Sequence, residues 1–401
     1  MFIFTAFLLL LFSSSVNSQT ACTGAVCDAL PGSLKQQMNE FPEQLRIQYL
    51  DKTMDSMNEA GTASNMGNSM IGLGIVNRFQ FGVGVSSAYR TKETLTVAYR
   101  DIGVLRLPSA GVSLSPTLTA GFNLGWLLRR GPFEKTVRKK DPSDEDDRDE
   151  DDDEEEDEKK EQEEINILNR FHIFLHGMNM KFGVHDFKGY VPEGIGLTGS
   201  FSLTQYGASV RYQAMMPKPG TKFFQFMGIT AGIGANIQRF GVGISETSNA
   251  NSSFIIGPFA GSWVANSEFN YSVNIKSFPA DLRTGAKFFQ FLTVFGGLGI
   301  NANSADSYLR FHRGGVLRLS ADPSQIAAAS LLYPSLAGSL KEILNKEGYL
   351  DVNLINYRKD KSTMGFAVFG ISADIWKVQI FAEATVLEKT KGLVFGVKTV
   401  F

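Results

Sequence analysis

Over most of the chain beyond residue 70, apolar residues alternate with polar or small residues. In the stretch "MIGLGIVNRFQFGVGVSSAYR", every second position is apolar at Phe79, Phe81, Val83 and Val85. A period of two indicates β-strands, because successive side chains of a strand point to opposite faces of its sheet. The same alternation recurs up to the C-terminus, in segments bounded by Gly, Pro, Asn, Asp or Ser. The fold is therefore expected to be all-β.

The length of these segments distinguishes two kinds of β-protein. Each extends over roughly ten to fifteen residues, whereas strands of soluble proteins usually have about 5–6 residues and strands that cross a bilayer about 9–11. The 40 glycines and 32 phenylalanines also suit a membrane barrel, in which small residues permit curvature and aromatic rings lie at the interfaces. We therefore predict an antiparallel transmembrane β-barrel of about 14 strands over residues 65–401, in preference to a soluble exported β-protein.

Two segments interrupt the alternation. Residues 28–60 are rich in Gln, Met, Glu and Lys and have apolar residues at helical spacing. This pattern predicts one or two short helices within an N-terminal segment that covers residues 19–64. Residues 321–348 are rich in alanine and contain Pro334, and they are expected to form a helical insertion between strands.

The N-terminus has the pattern of a secretory signal. An apolar run, "MFIFTAFLLLLF", is followed by Val16 and Ser18 at the small-residue positions of a cleavage site before Gln19. The run is shorter than the ~20 residues that a spanning helix needs. Residues 1–18 are thus expected to be removed on export, and no later segment is apolar enough to predict a transmembrane helix.

Two cysteines, Cys22 and Cys27, come directly after this cleavage pattern. In an oxidising compartment, two thiols at this spacing favour a small disulfide loop over a metal site, which needs more ligands. Lipidation of Cys22 as the mature N-terminus is the alternative, although Gln19 fits poorly at the third position upstream.

The formal net charge of −2 hides two opposite regions. Residues 141–164 contain 18 of the 41 acidic residues and only three basic ones, so the rest of the chain is basic. Crowded carboxylates repel one another, and the loop at residues 138–164 is therefore expected to be disordered and solvated. The predicted strand count places it on the outer side of the barrel, where loops are longer. The loop either attracts cations or basic partners electrostatically or is a solubilising loop without a dedicated ligand.

One internal repeat is visible in the sequence. "KFFQFMGITAGIGAN" starts at Lys222 and returns as "KFFQFLTVFGGLGIN" at Lys287. The two copies predict a duplicated hairpin unit whose corresponding strands run in the same direction.

The chain gives little support for catalysis or for a metal site. His172 and His176 would lie about 13 Å apart on a strand, too far to share a metal ion. His185 and His312 do not stand at ligand spacing, and no nucleophile-elbow or phosphate-loop motif is present. We expect no enzyme activity, no metal and no cofactor. The scattered basic residues also predict no nucleic-acid interface.

The last predicted strand, "GLVFGVKTVF", ends at the C-terminus. Leu393, Phe395, Val397 and Phe401 form one apolar face, while Lys398 falls on the other. In a closed barrel this strand must pair with the first, because hydrocarbon offers an exposed edge no partner. The segment resembles the C-terminal targeting signal of bacterial outer-membrane β-barrel proteins. That resemblance implies an outer-membrane location, contact with outer-membrane lipid and recognition by the barrel assembly machinery.

More loosely, "NMKFGVHDFKGYVPE" and the "KFFQF" strands resemble a spirochaetal family of outer-membrane surface proteins known as host-matrix adhesins. This resemblance implies a surface protein whose outer loops bind host extracellular macromolecules. The alternative is a porin-like channel or transporter for small solutes, with the N-terminal helices folded into the lumen as a plug. A barrel of about 14 strands needs a filled or gated interior. Inward polar residues such as Gln379, Glu383 and Lys398 would favour conductance.

Overall fold

Ten antiparallel strands pair side by side until the last meets the first, and together they close a β-barrel. This arrangement is seen in a computed structural model, which describes residues 19–28, 32–69, 72–98, 104–130, 167–185, 195–217, 220–221, 223–248, 251–256, 259–320 and 346–401. The antiparallel barrel predicted from the alternating pattern is thereby confirmed. None of the helices in the described part of the chain is both long and apolar enough to cross a membrane.

The described elements comprise twelve strands and four α-helices. The strands are β1 (Gln19–Thr23), β2 (Phe79–Ala98), β3 (Val104–Asn123), β4 (Phe171–His185), β5 (Ile195–Met215), β6 (Phe224–Ser248), β7 (Asn251–Ile256), β8 (Phe259–Phe288), β9 (Leu292–Ser320), β10 (Glu347–Ile375), β11 (Val378–Val386) and β12 (Thr390–Val400). The helices are α1 (Ala25–Asp28), α2 (Gly32–Leu45), α3 (Asp51–Ser69) and α4 (Leu124–Arg130), with a π-helical turn (Arg46–Leu50) between α2 and α3.

The ring runs in the order β2–β3–β4–β5–β6–β8–β9–β10–β11–β12 and closes where β12 pairs with β2. At this seam the Phe401 N–H donates to the Phe79 carbonyl over 3.0 Å, and the two rings stack with centroids 4.5 Å apart. Two strands lie outside the ring, since β1 pairs with one end of β10 and β7 forms a hairpin with β8.

The ring has ten strands, fewer than the about 14 expected from the sequence. The difference arises from strand length, because β8, β9 and β10 contain 30, 29 and 29 residues. By their alternation, the segments "KFFQFLTVFGGLGIN" and "SYLRFHRGGVLRLS" predict two separate strands, but from Leu292 onward both belong to β9. Small and polar residues inside these long strands, such as Asn301 and Ser304, imitate turn signals.

With ten strands in the ring, the two copies of the repeat have the same direction, as predicted. These copies lead into β6 and β9, which are separated by β8 alone along the ring and therefore run in the same direction. Other predicted boundaries differ from the structure. Helix α3 continues to Ser69, and residues 347–348 belong to β10 rather than to a helical insertion. The rest of the predicted insertion up to residue 345, the predicted signal at residues 1–18 and the acidic loop at residues 138–164 lie outside the described residues.

The two ends of the barrel differ. One end, which we call the C-terminal rim, holds Phe401, the start of β2 and the short turns between β8 and β9 and between β10 and β11. Aromatic rings cluster there, including the pairs Phe79–Trp126 and Phe224–Phe288. Such rings are typical of the interfacial girdle of a membrane barrel. The other end, which we call the opposite rim, holds β1 and the far ends of β8, β9 and β10.

On β8, β9 and β10, the outward-facing side chains are apolar next to the C-terminal rim and mostly polar beyond a boundary. The paired positions Lys276, Ser304 and Lys361 mark this boundary as one row across three strands. Between the row and the C-terminal rim, exposed outward residues include Phe278, Leu282, Leu298, Ile300, Phe369 and Ile371. We call this zone the apolar band. It covers residues 277–288 of β8 and 292–303 of β9, close to the ~9–11 tilted residues that cross a bilayer.

The apolar band predicts where a charge is tolerated. Phe395 lies inside the band on β12 and Tyr357 lies beyond the boundary row on β10, and each side chain is 57% exposed. We expect Phe395→Arg to lower the unfolding free energy in lipid vesicles by about 2–4 kcal/mol, because arginine must then enter hydrocarbon. Tyr357→Arg is the matched control and should change it little. Equal losses in a urea titration of the two variants would contradict a lipid-facing band.

Candidate functional site in the barrel lumen

The inner wall of the barrel is mostly polar. Because strand residues alternate, each outward apolar residue is flanked by inward neighbours, and these are largely hydroxyl, amide and charged side chains. Buried polar residues of the wall include Gln80, Ser115, Thr117, His172, His176, Gln205, Ser209, Thr230, Asn236, Gln238, Ser277, Asn301, Asn303 and Ser307. A polar interior is the usual property of barrels that enclose a water-filled channel or a plug.

Helix α3 fills this polar lumen. Every residue from Ala60 to Gly67 is buried, and most of them are small, so the helix fits within a ten-stranded ring. The fit is close at Gly67, where a Cβ atom would collide with the side chains of Ser86 and Val394. The N-terminal segment therefore occupies the barrel axis, and we call residues 51–69 together with residues 72–76 the plug.

Hydrogen bonds from side chains of the wall hold the middle of the plug. Asn58 Nδ2 donates to Ser307 Oγ over 3.0 Å, and Tyr271 Oη donates to Asn58 Oδ1 over 3.1 Å. About two turns further on, Asn65 Nδ2 donates to Ser277 Oγ over 3.2 Å. These contacts replace water for groups that would otherwise be buried without partners.

Nearer the opposite rim, two ion pairs link the plug to the wall. Asp55 accepts two hydrogen bonds from Arg358 of β10, of 2.8 and 3.0 Å. Glu59, one turn later, pairs with Arg90 of β2 at 2.7 Å and accepts a hydrogen bond from Thr390. Two carboxylates on one face of α3 are thus bound by arginines from two different strands.

Nearer the C-terminal rim, four buried charges form a cluster that we call the latch: Arg211, Asp281, Arg283 and Glu383. Arg283 is central to it, with its Nε 2.6 Å from Asp281 Oδ2 and its Nη1 2.6 Å from Glu383 Oε2. Arg211 reaches the same Asp281 oxygen at 2.9 Å. The two positive and two negative charges balance, which is what allows them to lie in a desolvated interior.

The latch binds the backbone of the plug directly. Arg283 Nη1 donates to the Gly72 carbonyl over 2.8 Å, and the Gly72 N–H donates to Glu383 Oε2 over 3.2 Å. Thr230 Oγ1 donates to the next carbonyl, that of Leu73, over 3.1 Å. Gly74 has a positive φ of 68°, and a Cβ atom there would overlap the Arg211 side chain. The chain after α3 is therefore fixed against the wall by charge-assisted hydrogen bonds.

A family model described as Lsa36-like matches residues 15–401, nearly the whole chain. The protein belongs to the Lsa36-like family. None of the curated proteins compared with the chain matches it.

Several solved structures are similar to this member of the Lsa36-like family. They include a FadL homologue of Pseudomonas aeruginosa, with 10% identity, coverage of 80% of this chain and 89% of that chain, and a TM-score of 0.23. CarO of Acinetobacter baumannii has 12% identity, coverage of 47% and 87%, and a TM-score of 0.19. The translocator domain of the autotransporter NalP from Neisseria meningitidis has 8% identity, coverage of 92% and 98%, and a TM-score of 0.26. TM-scores this low support no inference about function.

Residues singled out in the sequence of this Lsa36-like protein are found in three places. Leu393, Phe395, Val397 and Phe401 are exposed on the outer face near the C-terminal rim. Glu383 belongs to the latch, Lys398 is buried in the lumen wall with its Nζ 5.8 Å from the Phe381 ring centre, and Gln379 donates to Asp374. Cys22 and Cys27 form a disulfide beside β10 at the opposite rim.

The histidines are spread over different environments. His172 and His176 are buried in the lumen wall, whereas His312 pairs with Asp351 at 2.8 Å in a partly exposed position. His185 is the last residue of β4. Among the described residues, no group of three or more His, Cys, Asp or Glu side chains is arranged to hold a metal ion.

Three members of the latch, Arg211, Asp281 and Arg283, were not predicted from the sequence. A signal for two of them exists in the alternation itself. Asp281 and Arg283 flank Leu282, which is exposed in the apolar band, so both charges must point into the lumen. Nothing in the sequence shows that Arg211 and Glu383, on other strands, lie beside them.

The latch predicts an unequal effect of removing two glutamates. Glu383→Ala leaves Arg283 buried without its main partner, so we expect a loss of about 3–5 kcal/mol in the free energy of unfolding. Glu347 also pairs with an arginine at 2.6 Å, that of Arg318, but both side chains are exposed. Glu347→Ala is therefore the matched control and should cost about 0–1 kcal/mol.

Denaturant titration of the detergent-folded protein measures both variants. Adding Arg283→Ala to Glu383→Ala should recover part of the loss, because the unpaired buried charge is then gone. Similar losses of unfolding free energy for Glu383→Ala and Glu347→Ala would show that the buried ion pairs of the latch stabilise the fold no more than an exposed pair does.

Proposed function

We propose that this protein is an outer-membrane channel for small hydrophilic solutes that is closed at rest by its N-terminal plug. The observation that carries the proposal is the polar wall that faces α3 along the lumen. A purely structural core would be built from apolar side chains, which water cannot solvate when a helix leaves. Hydroxyl, amide and charged groups can exchange their contacts with the plug for contacts with water. This wall is therefore suited both to a lumen filled by the plug and to a lumen filled by water.

The closed state is supported by contacts at both ends of the plug. Apolar residues of α3 join the packing there, since Met54 lies with Ile275 and Leu354, and Met66 with Phe295. The latch then holds the chain that follows α3. Opening requires the latch to release Gly72 and Thr230 to release Leu73. The helix is then held by this apolar packing, by neutral hydrogen bonds and by two partly exposed ion pairs.

The orientation in the membrane follows from loop lengths. Barrels of this kind usually turn tightly on the periplasmic side and carry longer loops outside. The connections after β8 and β10 have only three and two residues, so we place the C-terminal rim in the periplasm, with the connection between β3 and β4 as a long exception on this side. The flanks of the acidic loop lie at that rim, because β3 ends at Asn123 and Trp126 contacts Phe79. We therefore propose a periplasmic acidic loop, in contrast to the outer position expected from a count of 14 strands.

The wild-type channel should be closed in planar bilayers, and Glu383→Ala should produce frequent openings because the latch is broken. A disulfide that joins the plug to the wall, which we call the staple, tests whether the plug causes closure. Ser56 on α3 and Ser109 on β3 have their Oγ atoms 3.3 Å apart, so Ser56→Cys with Ser109→Cys can form a disulfide with little movement. In the Glu383→Ala background, the oxidised staple should abolish the openings and a reductant should restore them.

The corresponding control carries Ser56→Cys alone, which cannot form the staple. Current steps that are identical before and after reduction of the double-cysteine protein would mean that the plug does not gate them. A Glu383→Ala protein that is folded and never conducts would reject the channel itself.

A second candidate function, binding of host or matrix macromolecules at the cell surface, is favoured by the opposite rim. Beyond the boundary row, β8 presents polar residues outward at Asn266, Glu268, Asn270, Ser272 and Asn274. β9 and β10 accompany it there as one continuous sheet. In the proposed orientation this sheet projects from the outer membrane, where it offers a large hydrophilic surface to a partner.

The surface-binding function depends on this orientation, and cysteine labelling tests it. Lys359 lies beyond the boundary row and Lys377 lies at the C-terminal rim, and both are exposed. A membrane-impermeant maleimide should label Lys359→Cys on intact cells and should label Lys377→Cys only after the outer membrane is opened. The reverse result would invert the orientation and would remove the proposed surface from the outside of the cell.

A further inference from the structure

Charged groups bind the plug to the wall in two different ways. In the latch, the carboxylates that balance the arginines, those of Asp281 and Glu383, belong to the wall itself, and the plug contributes only backbone groups. At the two ion pairs nearer the opposite rim, the arginines belong to the wall and the carboxylates belong to the plug. Withdrawal of the plug therefore leaves the charges of the latch balanced, whereas it takes both carboxylates away from the other two arginines.

The wall forms a receptor for each of these two carboxylates. Arg358 of β10 donates from Nε and Nη2 to the two oxygens of Asp55, over 2.8 and 3.0 Å, which is the two-point contact that a guanidinium group makes with a carboxylate. Glu59 is bound by Arg90 of β2 at 2.7 Å and by the hydroxyl group of Thr390 of β12 at 2.6 Å. All three donors project from strands of the ring, so the ring sets their positions. We call Arg90 and Arg358 the arginine pair.

The charge around the arginine pair depends on the plug. Both ion pairs line one cavity of about 470 Å³ between the barrel and α3. Among the described residues of its lining, the barrel contributes three basic side chains, those of the arginine pair and Lys389, and two acidic ones, those of Asp360 and Glu388. The plug adds two carboxylates, so the lining has an excess of one negative charge while the plug is in place. Without the plug it has an excess of one positive charge, which attracts anions.

The two plug carboxylates also have a defined spacing. Asp55 and Glu59 are four residues apart on α3, so their Cα atoms lie about 6 Å apart along the helix axis. A small solute that carries two carboxylates on a flexible chain can present them to both arginines at this scale. A solute with a single carboxylate can make a two-point contact with only one arginine at a time.

We infer that the arginine pair is a binding site for small dicarboxylate solutes in the open channel, and that Asp55 and Glu59 occupy this site as a substitute for the solute when the channel is closed. This inference rests on the proposed channel function and names its solute class. In the proposed orientation the arginine pair lies on the outer side of the latch, so a solute that enters from outside meets it before the latch. A bound solute competes with the plug for the same donors and thereby favours the open state.

Solute influx into proteoliposomes tests this site. The parent protein for the experiment carries Arg283→Ala together with Glu383→Ala, which removes both latch groups that bind Gly72 and one charge of each sign. Influx of labelled adipate, a small dicarboxylate, is compared with influx of sucrose, which is neutral. The ratio of the two rates separates a preference for the solute from a change in how often the channel opens.

In this parent, Arg90→Gln with Arg358→Gln should lower the ratio of adipate influx to sucrose influx severalfold, because the groups that bind the dianion are gone. Arg239→Gln with Arg318→Gln is the matched control, since it removes the same charge from exposed positions, and it should leave the ratio unchanged. Equal ratios in the two double variants would overturn the arginine pair as the binding site while the channel function stands. A folded parent that admits no sucrose would instead reject the channel function.

Binding to the arginine pair can also be measured without transport. Asp55→Ala with Glu59→Ala removes the plug carboxylates and keeps the latch, so adipate should raise the Tm of this detergent-folded variant and leave the Tm of the wild-type protein unchanged. Adding Arg90→Gln and Arg358→Gln should abolish the rise. No rise in the first variant, or a rise that persists without the two arginines, would overturn the site whatever the channel conducts.

Discussion

Closure of the strand ring is the constraint on which the rest of this structure depends. Hydrocarbon offers no hydrogen-bond partner to a backbone N–H or C=O group, and an unpaired strand edge there costs several kcal/mol for each group. The seam between β12 and β2 removes the last such edge, and it is paired from Val400 to Thr390. The apolar outward residues, the aromatic C-terminal rim and the placement of Phe401 beside Phe79 all serve a wall that must be continuous within lipid.

Closure of the ring also explains why a helix lies inside the barrel. A ring of about eight strands can be filled by its own side chains, and a wider one leaves space along the axis. Here the ring has ten strands and many inward positions are serine, threonine or glycine, so the wall alone cannot fill the lumen. A helix of small residues matches the remaining space. Because the wall is polar, the helix is bound by hydrogen bonds and ion pairs, which water can replace, and the latch adds the strongest of these at the end that follows α3.

The alternation of residues predicted the architecture because lipid and lumen act on opposite faces of every strand. Phe395 and Lys398 could be assigned to their faces from position alone, and the outward or inward sense of Asp281 and Arg283 was available in the same way. The number of strands could not be predicted. Glycine and asparagine within β9 resemble turn residues, and only pairing with β8 and β10 shows that the strand continues. The latch was inaccessible for a related reason, since it joins side chains from β5, β8 and β11 that are brought together by the register of the closed ring.

The lengths of the strands agree with the same constraint. β11 is nine residues long and pairs with β10 from Ala367 to Ile375, which is close to the ~9–11 tilted residues needed to cross hydrocarbon. β8, β9 and β10 continue past the boundary row as one paired sheet, and on β8 the outward residues change there from Leu282 and Phe278 to Asn274 and Ser272. The outward residues therefore change where lipid gives way to water, and not where the sheet ends, because the lipid acts on the side chains while the backbone pairing continues beyond it.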